Sequence, residues 1–237
     1  LENDITIRDN FYSCFQITGK NSVNIDCQGH AIRRNNNEGS YHSPPIGVII
    51  YDSTNIIIEN CRFIGLNSGI IVSNINGINR NIILRGNNFT SVNTGIDMRN
   101  TIDYTIENNI MSINRMPEEG VATAGIIIAD FITNQASQGM IRGNIINGGY
   151  NGIIINSEKL TPVNQRQVTI SNNRICGNTI DFNCMESPVD YNYRGFGGTL
   201  SGNRNSFGGQ PGKIARCSTA PNTRWPILNT NYRACPQ

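Results

Sequence analysis

One position recurs along this chain and accepts only three residue types. It is the third slot of a six-residue phrase. The phrase reads Ile58-Glu59-Asn60-Cys61-Arg62-Phe63, then Leu84-Arg85-Gly86-Asn87-Asn88-Phe89 and Ile106-Glu107-Asn108-Asn109-Ile110-Met111. It continues as Ile141-Arg142-Gly143-Asn144-Ile145-Ile146, Ile170-Ser171-Asn172-Asn173-Arg174-Ile175 and Leu200-Ser201-Gly202-Asn203, with an early copy at Ile7-Arg8-Asp9-Asn10-Phe11-Tyr12. Asp, Asn and Gly are the residues that tolerate a left-handed backbone, so the chain is expected to bend sharply there in each copy. The fourth slot is nearly always Asn: Asn10, Asn87, Asn109, Asn144, Asn173 and Asn203, interrupted by Cys61 and nearly continued by Gln28. If the copies stack, these amides form a ladder that satisfies its own donors and acceptors between layers. Their expected role is therefore structural.

A second phrase, Gly-Ile-x-Ile, alternates with the first. It appears at Gly47, Gly69, Gly95, Gly125 and Gly152, with a degenerate copy at Thr179-Ile180-Asp181-Phe182; successive starts step by 22, 26, 30, 27 and 27 residues. A bounded but irregular period of this size is the signature of a solenoid. Helical periodicity is absent, and the short Ile- and Val-rich runs read as strands. Repeats of this length leave too little chain for a helical crossover between parallel strands. The expectation is an all-β fold: a single right-handed parallel β-helix of about seven coils over residues 1–209, each coil burying its apolar face against its neighbours. Residues 210–237 are irregular, contain Trp225, and are expected to form a C-terminal tail or cap.

Composition limits the partners. Charged residues are 15 % of the 237, and the formal net charge is +2. Lys occurs only at Lys20, Lys159 and Lys213, and no basic run exists, which argues against nucleic acid or anionic lipid. No apolar stretch approaches the ~20 residues that span a bilayer. The chain begins at Leu1 rather than Met, as removal of a secretory leader would leave it. Seven cysteines are present without a tight Cys-x-x-Cys pair, and only His30 and His42 could assist a metal, so no metal site is expected. Close spacing suggests disulfides Cys14 with Cys27, Cys176 with Cys184, and Cys217 with Cys235, leaving Cys61 as the odd thiol; all seven free in a reducing compartment is the other option.

These phrases resemble the pectate-lyase-like right-handed parallel β-helix superfamily over roughly residues 3 to 209, including an opening coil around Cys14-Phe15-Gln16-Ile17 and Val23 to His30. The resemblance implies carbohydrate contact: lyases, hydrolases, epimerases, phage tailspikes and adhesins share this fold. Fold alone does not carry function. The Asn-Thr-Asp, Asp-Asp and Gly-His-Gly phrases of polygalacturonase-like members are missing, as is the Asp-Pro-His of alginate epimerase-like members. Nor is the acidic calcium cluster with an Arg base, found in pectate lyases, intact. His30 and His42 are expected to be structural or surface residues.

Strand alternation puts the third residue of each Gly-Ile-x-Ile phrase outward. The expected outward series is Ile49, Ile71, Asp97, Ile127, Ile154 and Asp181, followed two residues on by Tyr51, Ser73, Arg99, Ala129, Asn156 and Asn183. Asp97 and Arg99 thus share a strand, with Asp130 ending the adjacent one. Two insertions flank them, around Met116 to Glu119 and Thr133 to Ala136. A carboxylate pair beside an Arg could hold calcium or a uronate, or abstract a proton; it could equally be a surface ion pair. Ile49, Ile71, Ile127 and Ile154, with Tyr51, would form an apolar stripe for a partner or polymer, unless the chain's own loops cover it. Ice binding would need a regular outward Thr row, and Thr6, Thr105, Thr169 and Thr199 are interrupted by Asn24, Ile57, Ile83 and Met140. The N-terminal coil carries no visible cap, which is compatible with a fragment or with head-to-tail self-association. The phrase Asn88-Phe89-Thr90 matches an N-glycosylation acceptor and is expected to be a chance match. The leading expectation is a secreted or cell-surface β-helix that binds polysaccharide or serves as a structural or adhesive module. The alternative is a lyase or hydrolase acting on an acidic glycan, centred on Asp97, Arg99 and Asp130.

Overall fold

A computed structural model describes residues 1–8, 12–35, 45–114, 123–130, 137–158, 166–178, 180–183, 193–195, 199–207 and 229–230. Among these residues there is no helix, and the strands fall into three parallel sheets. The first pairs, in this order, β2 (Ser13–Thr18), β5 (Ile46–Tyr51), β8 (Ser68–Ser73), β11 (Thr94–Arg99), β14 (Ala124–Asp130), β17 (Asn151–Glu158) and β20 (Ile180–Asn183). The second pairs β3 (Asn21–Asp26), β6 (Thr54–Glu59), β9 (Asn79–Arg85), β12 (Thr101–Glu107), β15 (Ser137–Arg142) and β18 (Arg166–Ser171). The third pairs β1 (Ile5–Ile7), β4 (Ala31–Arg34), β7 (Arg62–Ile64), β10 (Asn88–Val92), β13 (Ile110–Ile113), β16 (Ile145–Gly148) and β19 (Arg174–Cys176). A long strand, β22 (Thr199–Phe207), continues both the second and the third sheet. The short β23 (Asn229–Thr230) pairs with it, and β21 (Tyr193–Gly195) lies antiparallel on β17. Within each sheet a strand pairs with the one a repeat away, which is consistent with a parallel β-helix.

Each sheet sends alternate residues into one core. Val48 and Ile50, Ile70 and Val72, Ile96 and Met98, and Ile126 and Ile128 come from the first sheet. Ile56 and Ile58, Ile82 and Leu84, and Tyr104 and Ile106 come from the second, and Phe63, Phe89, Met111, Ile146 and Ile175 from the third. Phe63 stacks on Phe89 one layer away, with ring centroids 5.0 Å apart. The glycine that opens each Gly-Ile-x-Ile phrase makes room for these third-sheet side chains. A Cβ on Gly69 would lie 2.3 Å from Phe89 Cε1, and one on Gly125 would lie 2.4 Å from Ile146 Cγ2.

The turn slot is left-handed as expected: φ is +56° at Asn60, +62° at Gly86, +55° at Asn108, +65° at Gly143 and +55° at Asn172. Asn and Gly alternate there for a steric reason. The Asn108 amide oxygen occupies the space above the next coil, 2.4 Å from where a Cβ on Gly143 would sit. The second slot alternates too. Glu59 accepts from Arg85 at 2.7 Å, and Glu107 accepts from Arg142 at 2.6 Å, along one outward column.

The buried Asn ladder is present and fully engaged. The Asn109 Oδ1 accepts from the Asn87 backbone N–H and side-chain amide at 3.0 and 3.1 Å. Its Nδ2 donates to Leu84 O and to Asn144 Oδ1, both at 3.0 Å. Asn144 and Asn173 repeat the pattern. The rung after Asn173 is Asn205, not Asn203. Leu200 stands opposite Val168 and Phe207 opposite Ile175, which slides the last phrase by two residues and sets Asn203 against Ser171. The early copy is also displaced. Ile5–Ile7 pairs with Ile32 to Arg34 in the third sheet, so Ile7 does not take the first slot, and Asn10 lies outside the described residues. The degenerate Gly-Ile-x-Ile copy slides likewise: Phe182 is in register with Ile153, and Asn183, not Asp181, is the register partner of Ile154.

At its N-terminal end the ladder meets a disulfide. Cys61 takes the fourth slot, its N–H donates to Asn87 Oδ1 at 3.0 Å, and its sulfur is bonded to Cys27. Their Cα atoms are 4.7 Å apart, one strand spacing. This corrects the expected Cys14–Cys27 pair and the free Cys61: among the described residues Cys14 is the free thiol. In stacked coils the near neighbour of a residue is one repeat away, not a few residues along. Gln28 is exposed in a longer turn, with φ +51°, and does not extend the ladder. Cys176 is also disulfide-bonded, while Cys184, Cys217, Cys235 and Trp225 lie outside the described residues.

Candidate functional site

Asp97 and Arg99 do meet. On β11 they share one face, and the guanidinium clasps the carboxylate, with Nε at 3.0 and 3.1 Å from its two oxygens and Nη2 at 2.5 Å. Asp97 is 5 % exposed, set in register between Ile71 and Ile127, while Arg99 is exposed. A buried carboxylate held in this fork has its acceptor capacity turned toward its own strand. Asp130 does not complete a cluster by register: the partner of Arg99 is Ala129, and Asp130 follows it. Nothing further is described of its side chain. The flanking insertions at 116–119 and 133–136 lie outside the described residues, as does His42. His30 stands 3.5 Å from Asp4 at the first coil, away from this face. Among the described residues no three His, Cys, Asp or Glu side chains gather as a metal would require.

The outward isoleucines keep their expected parity but do not form an open stripe. Ile49 and Ile154 are 1 % and 7 % exposed, and Ile71, Ile127 and Tyr51 are half-buried. Among the described residues the exposed large apolar ones are Tyr12, Ile75, Ile110 and Tyr150, which lie at other positions. A regular Thr row is absent as well. Thr6 belongs to the third sheet, and Ser201, not Thr199, is the register partner of Thr169.

A different place emerges on the outer face of the second sheet: a groove of about 240 Å³ crossing β9, β12, β15 and β18. Two lines of outward residues edge it. One is Thr105, Met140 and Thr169, in register along the strands. The other lies two residues earlier and comprises Asn81, Asp103, Gln138 and Gln167. Gly139 stands opposite Tyr104, whose ring fills the space that a side chain at position 139 would occupy.

The second line has its own backbone geometry. Ser22, Asn55, Asn81 and Asp103 are all left-handed, with φ of +64°, +54°, +54° and +56°. Short polar side chains are enriched in that region, which explains their recurrence. They form an outer ladder, with Asn55 Nδ2 donating to Asn21 Oδ1 at 2.8 Å and Asn81 Nδ2 to Asn55 Oδ1 at 2.7 Å. At Asp103 the ladder changes character. Its Oδ1 accepts from the Gln138 N–H at 3.3 Å, and Oδ2 lies 3.6 Å from Arg80 Nη1. The column sits a fixed three residues before the first slot of each phrase, a spacing visible in the sequence once the phrases are aligned. No protein-family model, curated protein or solved structure matches this chain.

No described helix is long and apolar enough to cross a membrane. The Cys27–Cys61 disulfide is compatible with an extracellular location.

Proposed function

We propose that the protein is a secreted or cell-surface β-helix of the pectate-lyase-like kind that binds an extended polysaccharide without cleaving it. The observation that carries this reading is the groove across β9, β12, β15 and β18. It crosses four strands and presents amides, hydroxyls and a carboxylate at successive layers. Such groups hydrogen-bond sugar hydroxyls, and Met140 offers an apolar contact for a pyranose C–H face. The layer spacing of a β-helix is close to the length of one hexose in an extended chain, so adjacent coils can meet adjacent sugars. The competing reading, a lyase or hydrolase at Asp97 and Arg99, would require a buried and doubly bonded carboxylate to reach substrate.

Affinity electrophoresis through gels containing neutral and acidic polysaccharides tests the proposal, with the same mixtures assayed for new reducing or unsaturated ends. Retarded migration with no product is expected. Time-dependent product release that disappears in Asp97→Asn would replace binding by catalysis.

A further inference from the structure

We infer that the groove selects a neutral, hydroxyl-rich glycan over a polyuronate, with Asp103 as the residue that discriminates. This rests on the carbohydrate reading of the groove and gives it a charge class. Asp103 is the one carboxylate among the groove's lining residues, and no Lys, Arg or His is among them. Its side chain is 47 % exposed. The cations nearby already have anionic partners: Arg80 faces Asp103 itself, and Arg85 and Arg142 are held by Glu59 and Glu107. A uronate laid in the groove therefore meets the Asp103 carboxylate, and must separate the Arg80–Asp103 pair to gain that cation. A neutral sugar meets the same carboxylate as an acceptor for two adjacent hydroxyls. Hydrogen bonds to a charged acceptor are stronger than neutral ones. Flanking amides at Asn81, Gln138 and Gln167 can then donate to and accept from the remaining hydroxyls.

Repulsion between two charges a few ångströms apart at an exposed site disfavours the anionic chain by about five- to tenfold per contact at low salt, and the difference shrinks as salt screens it. The left-handed backbone at position 103 makes a clean variant available: Asp103→Asn preserves a residue type that tolerates φ +56°.

The test is a titration of wild type, Asp103→Asn and the groove-filling Gln138→Trp with three chains: a neutral mannan or β-glucan, polygalacturonate and alginate. Each is run at low and high salt, with calcium and with chelator. Thermal melts check that both variants fold. Wild type is expected to bind a neutral chain, about tenfold more weakly in Asp103→Asn and not measurably in Gln138→Trp. Polyuronate binding is expected to be weaker and to improve in Asp103→Asn. If wild type prefers a polyuronate, with or without calcium, and Gln138→Trp abolishes it, the groove is a glycan site but the charge class is wrong. If no chain of either class binds, or Gln138→Trp changes nothing, the carbohydrate reading of the groove itself fails.

Discussion

Replacing Asn109 by Ala removes the middle of the buried ladder. Asn109 is fully buried, and its side chain makes four hydrogen bonds. Two of the partners keep another bond: Asn87 Nδ2 still reaches Ile58 O, and Asn144 Oδ1 still accepts from the backbone of residue 109. The Asn87 backbone N–H and the Leu84 carbonyl lose the side-chain partner that serves them. A buried group left unsatisfied costs about 1–3 kcal/mol, so two give roughly 2–6 kcal/mol. A midpoint of about 4 kcal/mol corresponds to a fall in Tm on the order of 10 °C for a chain of this length. The contrasting variant is Asn81→Gly, which breaks one exposed bond of the outer ladder, keeps a residue type that tolerates φ +54°, and should cost about 0.5 kcal/mol or less. Urea unfolding of both, read from the midpoint at an unchanged slope, measures the difference. A loss below about 1 kcal/mol at Asn109, or equal losses at the two sites, would refute the claim that the inner amides bind the layers together.

Gly69→Ala should destabilise by about 1–3 kcal/mol, because its Cβ meets Phe89 Cε1 at 2.3 Å; pairing it with Phe89→Leu should recover part of that loss, and strict additivity would exclude the contact as the cause. Reducing Cys27–Cys61, separated by 34 residues, should cost about 3–4 kcal/mol by loop entropy, seen as a lower urea midpoint in Cys61→Ala. Burial pushes the Cys14 thiol up to about 11, so its alkylation rate in the folded protein should keep rising well above pH 9 instead of levelling there. Burial raises the Asp52 pKa, but the N–H groups of Ile75, Asn76 and Gly77 outweigh it and hold the carboxyl below its usual range. Its folded pKa is thus depressed, so its stabilising contribution is present above about pH 4 and is lost as pH falls through the folded value. Asp52→Asn should flatten the acid limb of a Tm–pH curve, and an unchanged limb would remove Asp52 from that account.

Much of the scaffold was legible because sterics repeat with the coil. The restriction to Asn or Gly at positions 60, 86, 108, 143 and 172 follows from a backbone conformation, and a single chain displays it five times. The inner ladder was legible for the same reason. The ends were not: near Leu200 and Thr179 the phrase survives in degenerate form, and two-residue slips set Phe207 opposite Ile175 and Phe182 opposite Ile153. The disulfide was misjudged because proximity along the chain is a poor guide where the nearest neighbour is a layer away. The groove was hidden for a different reason. Asn81, Asp103, Gln138 and Gln167 share one offset from the phrase but are chemically unlike, so no residue type marks the column as a surface. Asp97 interrupts a run of isoleucines and Arg99 follows it on the same strand face, which alternation shows, but burial depth is a tertiary property that alternation does not supply.

On the proposed function the chain's amides fall into two populations: those that hold the layers together and those that would meet a ligand. Side-chain amide NMR on one sample, before and after addition of a neutral oligosaccharide, separates them directly. The Asn81, Gln138 and Gln167 signals are expected to shift, while those of Asn87, Asn109 and Asn144 remain in place and exchange slowly with solvent. Shifts concentrated on the inner ladder, or ladder amides exchanging as fast as groove amides, would contradict it.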